Sequence, residues 1–101
     1  MNSEYELNSK ILKALSDLNR LEIIKILSFK EKCACEILKN FNISQPTLSH
    51  HMKVLMECGL VECRKEGIWN YYSLNLINAN KLVLFLINLI NESDDCQFSI
   101  K

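Results

Sequence analysis

Apolar residues recur along this chain with helical spacing, except in one stretch between the fourth and fifth runs that reads as two strands around a turn. Over 4–16, Leu7, Ile11, Leu12 and Leu15 share a stripe and predict a first helix. Asp17 or Asn19 can cap a second, built on Leu21, Ile24 and Leu27. A third carries Ala34, Ile37, Leu38 and Phe41 in an unbroken i, i+3, i+4, i+7 pattern. Asn42 and Ile43 leave room only for a tight connection to the fourth. Ser44 suits the N-cap of that helix, and Pro46 costs little in a first turn whose N–H groups lack intrahelical partners. Leu48, Met52, Leu55 and Met56 form its apolar stripe, and Gly59 ends it. Segments 60–65 and 68–74 read as strands around a tight turn at Glu66-Gly67. The last helix, 77–91, contains LVLFLINLI and is apolar on nearly every side, so it must be buried nearly all round. One face can pack on its own domain; the other needs a second molecule. The polar tail after Asn91 is expected to fray.

Two helices joined by a short turn and followed by a hairpin predict a winged helix-turn-helix, mainly α with a small β-hairpin, and dimeric. At 101 residues the whole chain, 1–101, is expected to form a single domain. Net charge is zero, which argues against a strong nonspecific nucleic-acid binder but leaves room for a sequence-specific reader using local cations. The N-terminus lacks an apolar signal core, and the longest apolar run falls far short of the roughly 20 residues of a membrane span. Five cysteines, an odd number, then predict reduced thiols in a cytoplasmic protein rather than a disulfide framework. With only Gly59 and Gly67, the chain has no glycine-rich phosphate loop.

With Leu48, Met52 and Leu55 turned inward, the fourth helix shows Ser49, His50 and Lys53 on its opposite face. Thr47 lies at the edge, with Gln45 and the capping Ser44 at the N-terminal end. Amides, hydroxyls and a cation are the donors that reach base edges and phosphates in a major groove. Gln45, Thr47, Ser49 and His50 are candidate base readers; Lys53, with Arg64 and Lys65 at the expected hairpin tip, are candidate phosphate contacts. In isolation such a face is also what any solvated helix presents; the helix-turn-helix-wing order favours the DNA reading. His51, at the margin of the apolar stripe, is expected to be a structural, hydrogen-bonded histidine.

Cys33 and Cys35 flank Ala34 at the start of the third helix. Residues two apart on an ideal helix diverge by about 200°, so the thiols can converge only if that first turn is loose. A helix N-terminus with Lys32 beside it predicts lowered thiol pKa values, ready for a soft, thiophilic ion. The same positions also suit small half-buried apolar side chains. No second close pair exists for a four-cysteine zinc cage. Cys58 and Cys63 read as packing residues, and Cys96 as an accessible thiol in the tail.

These residues resemble the ArsR/SmtB family of metal-responsive repressors. The resemblance runs from about Leu12 to Leu74, through KALSDLNRLEIIKIL, SQPTLSHHMKVLMECGLV and RKEGIWNYYSL. KCACEIL is similar to the cysteine-bearing helix start of the arsenite- and antimonite-sensing branch, and of cadmium/lead sensors. The family implies a homodimer joined through the first and last helices, bound to an inverted-repeat operator in double-stranded DNA and released when the ion binds. Three departures bear on the ion. Leu38 occupies the place where the arsenite branch often has a third cysteine. No cysteine precedes Cys33, unlike the cadmium/lead type. No histidine follows His51, unlike zinc and nickel sensors. As(III) or Sb(III) at Cys33 and Cys35 is the favoured inducer. Cd/Pb, or reactive sulfur and oxidants linking one of these thiols to Cys96, is the alternative. A cysteine enzyme lacks support: both histidines lie on the expected DNA-reading helix, away from the thiols.

Overall fold

The computed structural model describes residues 3–91. Five helices, α1 (Ser3–Leu15), α2 (Leu18–Leu27), α3 (Ala34–Leu38), α4 (Gln45–Glu57) and α5 (Leu76–Ile90), accompany a small antiparallel sheet of β1 (Lys32–Cys33), β2 (Val61–Glu66) and β3 (Trp69–Leu74). This is a winged helix-turn-helix. The sheet order is β1-β3-β2, so the hairpin carries a third strand that the residue pattern did not predict. Lys32 pairs with Tyr72 and Cys33 with Tyr71. Two residues are too few to show alternation, and their register comes from a partner about forty positions away. The expected third helix correspondingly shortens to Ala34–Leu38, leaving Phe41 beyond its end.

Local signals place most boundaries. Asp17 Oδ1 accepts the Arg20 N–H and caps α2. Ser44 Oγ accepts the Thr47 N–H and caps α4. At the far end of α4, Gly59 adopts φ 86°, its N–H donates to the Met56 carbonyl, and the Leu60 N–H donates to that of Leu55. This paired closure requires a left-handed residue and so favours glycine. The Asn78 side chain then donates to the Gly59 carbonyl at 2.9 Å and ties α5 to the end of α4. The hairpin turn lies one residue later than expected. Glu66 pairs with Trp69, so Gly67 and Ile68 form the loop, with Gly67 at φ 62° in the first central position as a type II′ turn demands.

Ile23, Ile37, Leu48, Met52 and Leu55 are the fully buried centre. The α4 stripe matches the expectation. In α2 the buried residues are Ile23 and Leu27, and Leu21 is exposed. LEIIKIL offers apolar residues on two faces, and only packing selects one. On α1, Asn8, Ile11 and Ala14 face inward while Leu7 and Leu12 remain exposed. On α5 only Leu82 and Phe85 are buried; Val83, Leu84, Ile87, Leu89 and Ile90 are exposed. Tyr5 meets Phe85 edge-to-face at 5.8 Å, joining α1 and α5 into one apolar surface around Leu12 and Leu89. A surface of this kind marks an interaction site.

His51 is buried on α4, with its Nδ1 3.0 Å from an Arg20 terminal nitrogen. Arginine only donates, so Nδ1 accepts and the ring is neutral with its proton on Nε2. Arg20 Nε also donates to the Ala14 carbonyl, linking α1, α2 and α4. Burial, foremost, holds His51 below its ordinary pKa; Arg20 and His50 act the same way and the Asp17 carboxylate opposes. The unfolded chain therefore takes up a proton that the folded chain resists, and stability falls as pH drops below about 6.5. Tm followed by circular dichroism from about pH 7.5 to about 5.5 should decline, and less steeply in His51→Gln. Equal declines in both proteins would remove His51 from the acid response.

Candidate thiol site and nucleic-acid interface

Cys33 ends β1 and is also the N-cap of α3, with extended backbone at φ −79°, ψ 161°. Cys35 is the second residue of the helix proper. The divergence of residues two apart applies only when both are helical. An extended Cys33 instead brings its side chain back over the first turn, and the two sulfurs lie 2.7 Å apart as free thiols. Glu36 Oε1 accepts the Cys33 N–H at 3.0 Å, securing the cap from the other side. Cys33 is buried and Cys35 exposed, so the pair is anchored at one sulfur and open at the other. Cys35 also borders a cavity of about 250 Å³ between α3, α4 and the hairpin.

The electrostatics differ from the expected lowering of thiol pKa values. The Cys35 thiol is raised, first by its hydrogen bond with Cys33, then by partial desolvation and the nearby negative charges of Cys33 and Glu36, with Lys39 opposing. Two thiols sharing one contact resist losing a proton from it, and a five-residue helix supplies little dipole to compensate. The Glu36 carboxyl is held low, mainly by the Cys33 N–H. Among the described residues no group of three His, Cys, Asp or Glu could hold a metal ion together. Cys58 is buried as expected, whereas Cys63 is exposed on β2; Cys96 lies outside the described residues.

On α4, Gln45, Thr47, Ser49, His50 and Lys53 are all exposed opposite the buried Leu48, His51, Met52 and Leu55. The Ser44 and Thr47 hydroxyls are bonded to each other at 2.9 Å within the cap. The wing departs from the expected arrangement. Arg64 lies within β2, not at the tip, and successive strand residues point to opposite faces, so Arg64 and Lys65 leave the hairpin on opposite sides. Arg64 pairs with Glu31 at 2.8 Å and Glu66 at 3.2 Å and stacks over Tyr71, 4.7 Å from the ring centroid. Its guanidinium can reach a phosphate only by leaving these partners. Lys65 is exposed and makes no ion pair among the described residues. The residues actually displayed at the tip are Ile68 and Trp69, 88% and 50% exposed. Their adjacency to Gly67 was the available signal.

α4 packs mainly on β2, α2 and α1, and α3 on β1 and β3.

A family model described as "Bacterial regulatory protein, arsR family" matches residues 17–62. An arsenical resistance operon repressor of Staphylococcus aureus is 49% identical over 90 residues, covering 89% of this chain and 86% of that protein. An ArsR-like transcriptional regulator from Rhodococcus sp. RHA1 superposes with a TM-score of 0.78 at 27% identity, over 87% of this chain and 83% of that one. A homodimeric winged helix-turn-helix domain from Mycobacterium bovis superposes with a TM-score of 0.72 at 27% identity, over 84% and 80%.

The shared contact makes Cys35 less acidic than an ordinary thiol. The pH–rate profile of its alkylation should have its midpoint above the ordinary thiol range and shift down in Cys33→Ala. An unchanged midpoint would mean that Cys33 does not control it.

Proposed function

The chain belongs to the ArsR family of bacterial regulatory proteins and is a transcriptional regulator, not an enzyme; within that family we propose that it is a cytoplasmic repressor that leaves its operator when As(III) or Sb(III) binds Cys33 and Cys35. The observation that carries this reading is the 2.7 Å convergence of two free sulfurs at the β1–α3 junction. The high identity to a relative named for arsenical resistance supports it. Two converging thiols with no third ligand grouped with them among the described residues suit As(III) better than an ion needing four donors.

DNA binding follows from the exposed face of α4. Gln45, Thr47, Ser49 and His50 read base edges, Ser44 and Lys53 meet the backbone, and Lys65 contacts phosphate from the wing. Arg64 contributes once released from Glu31. The exposed apolar surface of α1 and α5 joins two copies, which places two recognition helices on an inverted repeat.

The release mechanism runs through the sheet. Binding an ion replaces the S–H contact by bonds to both sulfurs and fixes Cys33, which is paired with Tyr71 of β3. A shift of β1 then moves β3 and the wing carrying Lys65. Coupling of this kind amounts to about 1–3 kcal/mol, or roughly 5–150-fold in affinity.

Cys33→Ser/Cys35→Ser should bind operator as the parent does but no longer release it with arsenite, measured by fluorescence anisotropy on the upstream DNA. A variant that still responds would assign sensing elsewhere. Leu89→Glu, on the exposed apolar surface, should convert the dimer to a monomer by sedimentation equilibrium and weaken binding to an inverted repeat at least tenfold. Leu86 is a poorer probe because it packs against the core. A Leu89→Glu dimer of parental strength would exclude the α1–α5 surface.

A further inference from the structure

Arg64, a cation on the wing, has every nitrogen of its guanidinium occupied. Its Nε donates to Glu31 Oε2 at 3.2 Å and one Nη to Glu31 Oε1 at 2.8 Å, a two-point fork. The other Nη donates to Glu66 Oε1 at 3.2 Å. The flat face of the group lies over the Tyr71 ring, 4.7 Å from its centroid. Stability does not account for so complete an engagement. The Arg64 and Glu31 side chains are 52% and 37% exposed, and ion pairs at such positions contribute little to folding. The fork has a second meaning. A carboxylate gripped at two points by a guanidinium imitates a phosphate, which the same fork grips in the same way. Glu31 therefore occupies the position in which a DNA phosphate would sit on Arg64. It reaches that position from just ahead of β1, across β3, to a residue of β2.

We propose that Glu31 is a specificity-determining residue, which withholds Arg64 from DNA of arbitrary sequence and yields it only at the operator. The proposal rests on the reading of α4 and the wing as the DNA-binding surface, and on nothing about the thiol ligand. Phosphates are alike in every sequence, so a free Arg64 would strengthen binding to all DNA equally. With Glu31 in place, a phosphate must first displace a carboxylate of the same sign and matching geometry. A passing phosphate gains almost nothing by that exchange, and a loosely docked complex leaves Arg64 on Glu31. The operator complex differs. Base contacts along α4 hold the wing in one register against the backbone, so one phosphate stays beside Arg64 at high effective concentration. The exchange then favours DNA. A chain with 12 basic and 12 acidic residues already lacks general attraction for DNA, and Glu31 extends that economy to the wing.

The test measures affinity and its salt dependence by fluorescence anisotropy on two duplexes, the inverted repeat of the upstream DNA and a scrambled duplex of equal length. The proteins are the parent, Glu31→Gln, Arg64→Ala and the double variant. Glu31→Gln is expected to bind the scrambled duplex about fivefold tighter or more, and the operator less than about twofold tighter. Its salt dependence on the scrambled duplex should steepen by about one phosphate contact per subunit. Removing a carboxylate also alters the long-range field, so the Arg64→Ala background is decisive. There the gain from Glu31→Gln should fall below about twofold, because no guanidinium remains to be released. An unchanged affinity of Glu31→Gln for scrambled DNA, equal gains on both duplexes, or a gain that survives Arg64→Ala would each overturn the inference while the DNA-binding reading stands. A parent protein with no preference for the operator over the scrambled duplex would remove that reading, and this inference with it.

Discussion

The pairing of Lys32 with Tyr72 and Cys33 with Tyr71 is the constraint on which the candidate switch depends. It holds Cys33 in extended backbone while Cys35, two residues on, is already helical. That change of conformation between neighbours brings the sulfurs together; a continuous helix would have sent them to opposite sides. It also makes the buried thiol part of the same sheet as the wing. Cys33 opposes Tyr71, Tyr71 carries the Arg64 guanidinium on its ring, and Arg64 is held by Glu31 just ahead of β1. Chemistry at one sulfur thus acts on a closed loop of contacts that returns to its own strand.

The recognition helix is secured by different means. Its ends are set locally by Ser44 and Gly59, and its inner face by Leu48, Met52 and Leu55. His51 adds a polar link, accepting from Arg20, which also reaches the last turn of α1 through Ala14. A neutral histidine held against an arginine satisfies a buried polar group without placing two cations together. The recognition helix is thus packed on α1, α2 and β2, while α3 packs on β1 and β3.

Neutral overall charge puts the weight of DNA attraction on a few cations. Both arginines are already engaged: Arg64 by two carboxylates, and Arg20 by His51 and the Ala14 carbonyl. Lys53 remains exposed on the outer face of α4 and Lys65 on β2. A reader built this way gains little from nonspecific attraction and relies on duplicated, oriented contacts, which the apolar surface of α1 and α5 can supply by joining two copies.

Much of this was legible in the residues. The order of elements, the capping of α2 and α4, the closure at Gly59 and the inward stripe of α4, with His51 at its margin, all follow from local chemistry, in which a residue and its neighbours within four positions decide the outcome; the partner of His51, Arg20, is 31 positions away. The excess of apolar surface on the last helix was equally plain, since no small domain could cover every side of LVLFLINLI. Tertiary structure alone decided the rest. It chose Ile23 over Leu21 because α2 has two apolar faces and packing accepts one. It drew Lys32 and Cys33 into a strand because their partners lie in a hairpin about forty residues later, beyond any local pattern. It engaged Arg64 with Glu31 for the same reason. Convergence of the thiols, the raised pKa of Cys35 and the cavity beside it are consequences of that long-range pairing, and a sequence read by local period carries no record of it.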